Sequence, residues 1–255
     1  MPEEPRLDEQ FVSQAIQLGL SSQLQSAEDI QVNIRTDILK MIHGQADSVS
    51  VRGQGMVVQN LRVEEMELHT QDLDLNAKSL LRGKLELDKP LNATSRIVFT
   101  EADLNQALNN PAIVDRIPPL KFQIQGQPVV IVLQPPFKIG LPGGGRIAID
   151  ATVLSQEANK AHPIRFSAVA YPRAGDRPVM LEAFNCHDGG AVSLELMLAL
   201  VQRVKQLMEL PDFYFEGMLC RVLEMTAEAG RLILQVETEM AQIPFGGETG
   251  FAGHS

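Results

Sequence analysis

The sequence lacks several features on which particular functions depend. It has no Trp and two Tyr among 255 residues, so it offers few of the aromatic platforms on which nucleic-acid bases stack. Lys and Arg total 22 against 32 Asp and Glu, and this net charge of −10 argues against binding to phosphate backbones or to anionic membranes by charge. We therefore expect no nucleic-acid partner.

Cysteines and long apolar runs are also scarce. The two cysteines, Cys186 and Cys220, cannot build a disulfide framework or a four-ligand zinc site, so we expect ordinary buried or half-buried thiols. The start, MPEEPRLDEQ, is acidic and has no apolar stretch of signal-peptide length, and no uninterrupted run of 18 apolar residues follows. These features favour a soluble protein that stays in the cytoplasm.

Apolar residues instead alternate with polar ones through most of the chain. Such alternation at Ile30–Ile34, Leu61–Leu75 and Ile147–Val153 predicts strands with one buried face. The phase of the pattern changes twice between Leu61 and Leu75, and keeping one apolar face through these changes requires bulges or bends, which curve a sheet. Val129–Leu133, bounded by Pro128 and Pro135, predicts a strand that is short or near an edge.

Three segments have helical spacing. They are Asp8–Leu24, a short segment that starts with the capping pattern Thr100-Glu101-Ala102-Asp103, and the long segment Val192–Glu209. We therefore predict an α+β fold with a large, mostly antiparallel sheet, one long helix, an N-terminal helix and a short internal helix. A single domain is predicted over residues 26–244, after an N-terminal helical segment over 1–25 and before a flexible tail over 245–255.

The motifs that could carry chemistry are weak. Cys186, His187 and Asp188 are consecutive, and neighbouring residues of an extended chain point to opposite faces, which argues against a catalytic triad. A partial calcium-loop pattern at residues 72–83 lacks the glycine at its sixth position and the glutamate at its twelfth. Gly143-Gly144-Gly145 lacks the Lys-Ser or Lys-Thr pair of a phosphate loop and predicts a hairpin turn. We expect no catalysis, no metal and no cofactor.

The long helix is the most informative segment. Its apolar residues cover far more than the stripe of about 100° that a surface helix needs. Such a helix is either buried on nearly every side or lines an apolar cavity. A long helix held in a bent antiparallel sheet is one way to build a groove that accommodates a lipid.

Two blocks of the sequence carry a family resemblance. The stretch GQADSVSVRGQGMVVQNLRVEEMELHTQDLDLN, from Gly44 to Asn76, resembles the LmeA-like phospholipid-binding family, and so does GKLELDKPLNATSRIVFTEADLNQAL, from Gly83 to Leu108. The resemblance implies a fold like that of the tubular lipid-binding proteins, in which a highly curved antiparallel sheet wraps around one long helix. It also implies acyl chains in the apolar groove between them, and it offers no catalytic residues.

The leading hypothesis is a non-enzymatic phospholipid-binding protein, with lipid transfer as its extension. Its partners are phospholipid and, transiently, an inner or internal membrane that it visits from the cytoplasm. The predicted lipid-binding residues lie on the long helix, the first helix and the opposite sheet wall: Leu194, Met197, Leu198, Val201, Phe11, Ile16, Leu61, Val63, Leu73, Leu75, Phe122, Ile124 and Phe166.

Two alternatives remain open at this stage. One is a protein-interaction or scaffold module with a packed interior and no lipid, and the other is a weak hydrolase or enzyme accessory that uses the Cys186 region. The headgroup site is not readable from the sequence. Arg52, Arg62 and Lys84 are candidate cations, although solvated charges on strand faces explain them better.

Overall fold

Strands make up most of the chain that the computed structural model describes. In β1 (Asp29–Arg35), the buried residues Ile30, Val32 and Ile34 alternate with exposed ones, as a strand with one face on a core requires. Every strand pair is antiparallel among the described residues, so the prediction of a mostly antiparallel fold is confirmed. The structure describes residues 26–37, 39–40, 44–58, 60–76, 87–115, 119–124, 126–157, 160–172, 179–187, 193–209, 213–215 and 218–240.

Seven strands form the first sheet. Besides β1, they are β2 (Gln45–Val58), β3 (Leu61–Asp74), β4 (Leu91–Thr100), β10 (Phe213–Phe215), β11 (Met218–Glu228) and β12 (Arg231–Met240). Their order in the sheet is β1-β2-β3-β4-β12-β11-β10. The β2–β3 ladder keeps one register but is interrupted at Gly55 and Asp72, whose φ angles are 56° and 54°. Because the register does not shift at either interruption, the predicted changes of phase correspond to bends in the strands and not to bulges.

Five strands form the second sheet in sequential order. They are β5 (Leu120–Ile124), β6 (Gln127–Gly143), β7 (Arg146–Glu157), β8 (Lys160–Tyr171) and β9 (Met180–Cys186). The predicted hairpin turn at Gly143-Gly144-Gly145 is confirmed between β6 and β7, where all three φ angles are positive. β6 has 17 residues, so it is not short, because its ladder with β7 continues beyond a register shift between Gln134 and Lys138. It does lie near an edge, as its prolines predicted, because β5 is the edge strand and pairs only with residues 127–131 of β6.

Three helices are described, and two of them match predicted ones. α1 (Glu101–Leu108) begins at Thr100, whose hydroxyl accepts a hydrogen bond from the backbone N–H of Asp103 at 3.1 Å, so the capping pattern is confirmed. α2 (Pro111–Val114) is a single turn, and α3 (Leu194–Glu209) is the long helix. The predicted N-terminal helix and the tail over 245–255 lie outside the described residues.

Side chains of α1 bind the open edge of β6. Asn105 accepts a hydrogen bond from the Ile139 N–H and donates one to the Ile139 carbonyl, both at 2.8 Å. Asn109 makes the same pair of bonds with Phe137, at 2.7 and 2.8 Å. Glu101 accepts from the Leu141 N–H at 2.7 Å. Residues four apart on a helix thus satisfy alternate residues of a strand.

This contact helps explain why the strands form two sheets and not the single sheet that the sequence predicted. A further strand cannot pair with the edge of β6 that α1 already occupies. Beyond that point the sheets share a buried apolar cluster that contains Leu141 and Ile147 of one sheet and Met225 and Ala227 of the other. Backbone hydrogen bonds also join them there: Gly230 N–H donates to the Leu141 carbonyl at 2.9 Å and Gly145 N–H donates to the Ala227 carbonyl at 3.1 Å. Among the described residues, no helix is both long and apolar enough to cross a membrane.

Candidate functional site

The largest apolar interior that involves a helix lies between α3 and the second sheet. On α3, Leu196, Leu200 and Val204 are buried, and their spacing of four residues places them on one face. We call the apolar core that they form with the second sheet the helix–sheet cluster. Its other buried members are Val129, Ile131, Phe137, Ala151, Val153, Ile164, Phe166 and Ala168.

The contacts of α3 reach across this sheet. The helix contacts β5 and β9, which are the two edge strands, and it also contacts β8. The ring of Phe166 on β8 stacks on that of Phe184 on β9, with centroids 5.4 Å apart. The helix therefore lies over the second sheet from one edge strand to the other.

The predicted lipid-binding residues of α3 flank its buried face. Met197 and Val201 are half-buried, whereas Leu194 and Leu198 are 70% and 52% exposed. We call these four residues the outer stripe of α3. The exposure of two large leucines on one stripe is the kind of surface that marks a contact with lipid or protein.

The remaining predicted residues fall into three apolar clusters. Phe122, Ile124 and Phe166 belong to the helix–sheet cluster, so the structure brings them together with the buried face of α3. The other four lie in the first sheet: Leu61 and Val63 pack with Phe99, and Leu73 and Leu75 pack beneath β1. Phe11 and Ile16 lie outside the described residues.

A pocket of about 520 Å³ opens beside the helix–sheet cluster, at the register shift of β6. We call it the bulge pocket. Its polar lining comes from three neighbouring strands, from α1 and from His187, which follows β9, and its apolar lining belongs partly to the cluster. The lining residues are Asn105, Pro136, Phe137, Lys138, Asp150, Ala151, Thr152, Arg165, Phe166 and His187.

The sequence did not identify this pocket as a site. Lys138, Asp150 and Arg165 are separated along the chain and meet through strand pairing, in which Lys138 faces Asp150 and Arg165 faces Thr152. The adjacent prolines, Pro135-Pro136, were a usable signal, because prolines within a strand pattern mark a bulge.

Two of the three catalytic candidates lie in the described part of the chain. Cys186 is half-buried against the helix–sheet cluster, whereas the exposed His187 places its ring nitrogen Nε2 3.1 Å from the Ser167 hydroxyl. Asp188 lies outside the described residues. Among the residues with described positions, no group of three or more His, Cys, Asp or Glu side chains could hold a metal ion.

Two of the candidate headgroup cations already have carboxylate partners. Arg62 lies 2.9 Å from Glu28, 2.5 Å from Glu64 and 3.1 Å from Asp103. Its hydrogen bonds to Glu28 and Glu64 raise the pKa of the Arg62 guanidinium above its ordinary value. Arg52 pairs with Glu67 at 3.4 Å, and Lys84 lies outside the described residues. Arg62 and Arg52 therefore have structural partners on the first sheet.

Comparisons with known proteins identify the family. A family model described as LmeA-like phospholipid-binding matches residues 6–237, which is nearly the whole chain. No curated protein and no solved structure matches the chain. The resemblance carried by Gly44–Asn76 and Gly83–Leu108 is thereby confirmed. The chain belongs to the LmeA-like phospholipid-binding family.

Proposed function

We propose that the protein binds a phospholipid without converting it chemically and carries it between membranes. We place the acyl chains in the apolar space between α3 and the second sheet. Membership of a phospholipid-binding family supports the ligand class. The contacts of α3 with both edge strands support the position.

The observation that carries this proposal is the continuous apolar arc on α3. Successive residues of a helix are about 100° apart, so the arc from buried Leu196 to exposed Leu198 covers roughly 200°. Half-buried Met197 and Val201 lie between these two limits. Between residues 194 and 204 this arc carries only apolar side chains, and the exposed Lys205 follows at its outer edge, one turn beyond Val201. An acyl chain can therefore pass from the surface to the helix–sheet cluster along this part of the helix without crossing a polar side chain of this face.

Apolar burial provides enough free energy for such binding. Each methylene removed from water contributes about 0.8 kcal/mol, so two acyl chains bind tightly without charge pairing. The net charge of −10 gives the protein little electrostatic attraction to an anionic membrane. We therefore expect brief membrane contacts in which the outer stripe of α3 touches the acyl chains.

The test is uptake of a fluorescent phospholipid from vesicles by Leu198→Glu. Leu198 is 52% exposed, so this variant folds with nearly unchanged stability while placing a charge in the arc. The matched control is Gln202→Glu, which adds the same charge at an exposed polar position of α3. We expect Leu198→Glu to take up lipid about tenfold more slowly than the unaltered protein, which corresponds to a rise of about 1.4 kcal/mol in the activation barrier. Gln202→Glu should take up lipid at the rate of the unaltered protein.

The outcomes separate the competing functions. If the unaltered protein takes up no phospholipid, the proposal fails, and the scaffold alternative with a packed interior takes its place. If the protein takes up lipid and both variants behave alike, the outer stripe is not the entry path. Circular dichroism of each variant confirms that a loss of uptake is not a loss of folding.

A further inference from the structure

We propose that residues 8–24 dock on the inner face of the first sheet, which is the face that carries Val49 and Ala93, and cover it. The occupant is a segment of the same chain, and its sequence predicts an amphipathic helix. The inference goes beyond the proposed function and does not depend on it, because it concerns the other sheet. It gives Phe11 and Ile16, which were predicted to bind lipid, a contact within the protein.

One row of side chains on this inner face is buried across six strands. Its members face one another in the register of β1, β2, β3, β4, β12 and β11, and they are between 2% and 7% exposed. Neighbouring strands are about 4.8 Å apart, so the row is about 24 Å wide. We call it the buried row, and it consists of Ile34, Val49, Thr70, Ala93, Thr238 and Cys220.

An open sheet buries one of its faces against a second layer of structure. The first sheet is open in the described part of the chain, because β1 and β10 are its edge strands. At one end of the inner face the second layer is described. Leu104 of α1 packs with Phe99 there, and Leu141 of the second sheet packs with Met225.

At the other end, around the buried row, the described residues supply no second layer. The apolar cluster there includes Val49 and Ala93, and its described members all belong to strands of the first sheet or are Leu75 and Leu87, which pair with each other after β3. The long helix packs elsewhere, since Leu196 belongs to the helix–sheet cluster. The cover of the buried row is therefore a segment outside the described residues.

Residues 1–25 are the longest such segment, and their pattern suits an apolar face. Gln14 and Gln17 lie opposite the apolar side of the predicted helix. The family match begins at residue 6, so the segment belongs to the matched domain. The apolar residues at helical spacing are Phe11, Val12, Ala15, Ile16, Leu20 and Leu24.

The point at which this segment joins the first sheet also suits the inner face. The Ser26 carbonyl accepts a hydrogen bond from the Val57 N–H at 2.8 Å, so the segment ends beside the end of β2. Val49 of the buried row lies eight residues back along β2, which is about 26 Å. A helix of 17 residues is about 25 Å long. A helix that runs back over the sheet from Ser26 therefore reaches the buried row.

The first experiment locates the segment in the full-length protein. Phe11 is replaced by its photoreactive analogue benzoylphenylalanine, and the peptides that cross-link on irradiation are identified by mass spectrometry. We expect cross-links within one chain to β2, β3 or β4. Cross-links to α3 or the second sheet, or between two copies of the chain, would overturn the inference.

The second experiment uses Cys220 as a reporter, because it lies in the buried row. Val12→Glu/Ile16→Glu places two charges on the apolar side of the segment, and the matched control Gln14→Glu/Gln17→Glu places them on the opposite side. We expect N-ethylmaleimide to label Cys220 about tenfold faster in the first variant and at an unchanged rate in the control. The half-buried Cys186 of the second sheet is the internal reference, and its rate should not change.

The results also distinguish other covers of the same face. If a lipophilic resin that removes bound lipid speeds the labelling of Cys220 and Val12→Glu/Ile16→Glu does not, acyl chains cover the face and the inference is refuted. If neither treatment changes the labelling, another segment, such as residues 77–86, covers the face and the inference is again refuted. The cross-linking needs no charged substitution, so its result does not depend on how well that variant folds. None of these results bears on lipid uptake along α3, so the inference and the proposed function fail separately.

Discussion

Replacing Asn105 with Ala tests how the edge of β6 is held. The Asn105 amide is the only described hydrogen-bonding partner of both backbone groups of Ile139 on the side that faces α1, with both bonds at 2.8 Å. The residue also lines the bulge pocket.

The expected loss follows from these two bonds. A buried backbone group that loses its partner costs about 1–3 kcal/mol, and Ile139 and Asn105 are half-buried, so the lower half of that range applies to each group. Ala gains about 0.5 kcal/mol over Asn in helix propensity. The net loss is about 2–3 kcal/mol in the free energy of unfolding, or about 5–10 °C in Tm for a chain of this length.

Urea denaturation followed by circular dichroism measures this loss. The matched control is Gln106→Ala, which removes an exposed amide from the next position of α1. Asn105→Asp keeps an acceptor for the Ile139 N–H but has no donor for the Ile139 carbonyl, so it should also destabilise the protein. If Asn105→Ala lies within about 0.5 kcal/mol of Gln106→Ala, side chains of α1 do not hold the edge of β6.

Three further predictions concern packing, charge and backbone. Leu196→Ala should lower the free energy of unfolding by about 2–5 kcal/mol and Leu198→Ala by less than about 0.5 kcal/mol, measured by urea denaturation, because only Leu196 is buried. Arg62→Met should lower the urea midpoint, since it leaves the buried Asp103 carboxylate without its cation, and adding Asp103→Asn should recover part of the loss. Gly55→Ala should cost about 1–2 kcal/mol in thermal denaturation, because φ is 56° there.

The sequence predicted the elements whose signals are local. Thr100 caps α1 through a bond to a residue three positions away, and the hairpin of β6 and β7 turns at Gly143-Gly144-Gly145, where all three φ angles are positive. Alternation is also a local signal, and it predicted which residues of each strand are buried, because side chains along a strand point alternately to opposite faces.

The division into two sheets could not be predicted, because it depends on contacts between distant positions. Asn105 and Ile139 are 34 residues apart, and nothing in the sequence around Asn105 distinguishes an exposed amide from one that binds a strand edge. The grouping of Lys138 and Arg165 in the bulge pocket could not be predicted for the same reason, because these residues approach each other only through the pairing of β6, β7 and β8.

The long helix illustrates the limit of periodicity. Its spacing predicted an apolar arc too wide for a surface helix, and the structure contains that arc. Periodicity cannot tell which part of an arc packs, because that depends on the position of the sheet. Leu196, Leu200 and Val204 face the second sheet, whereas Leu194 and Leu198 of the outer stripe are exposed.

Native mass spectrometry of the protein, purified under mild conditions from cells that produce it, tests phospholipid binding most directly. We predict a population of the 28.0 kDa chain with the added mass of one phospholipid, which extraction and fragmentation then identify. A protein that is lipid-free after purification and remains lipid-free after incubation with phospholipid vesicles would contradict the proposal.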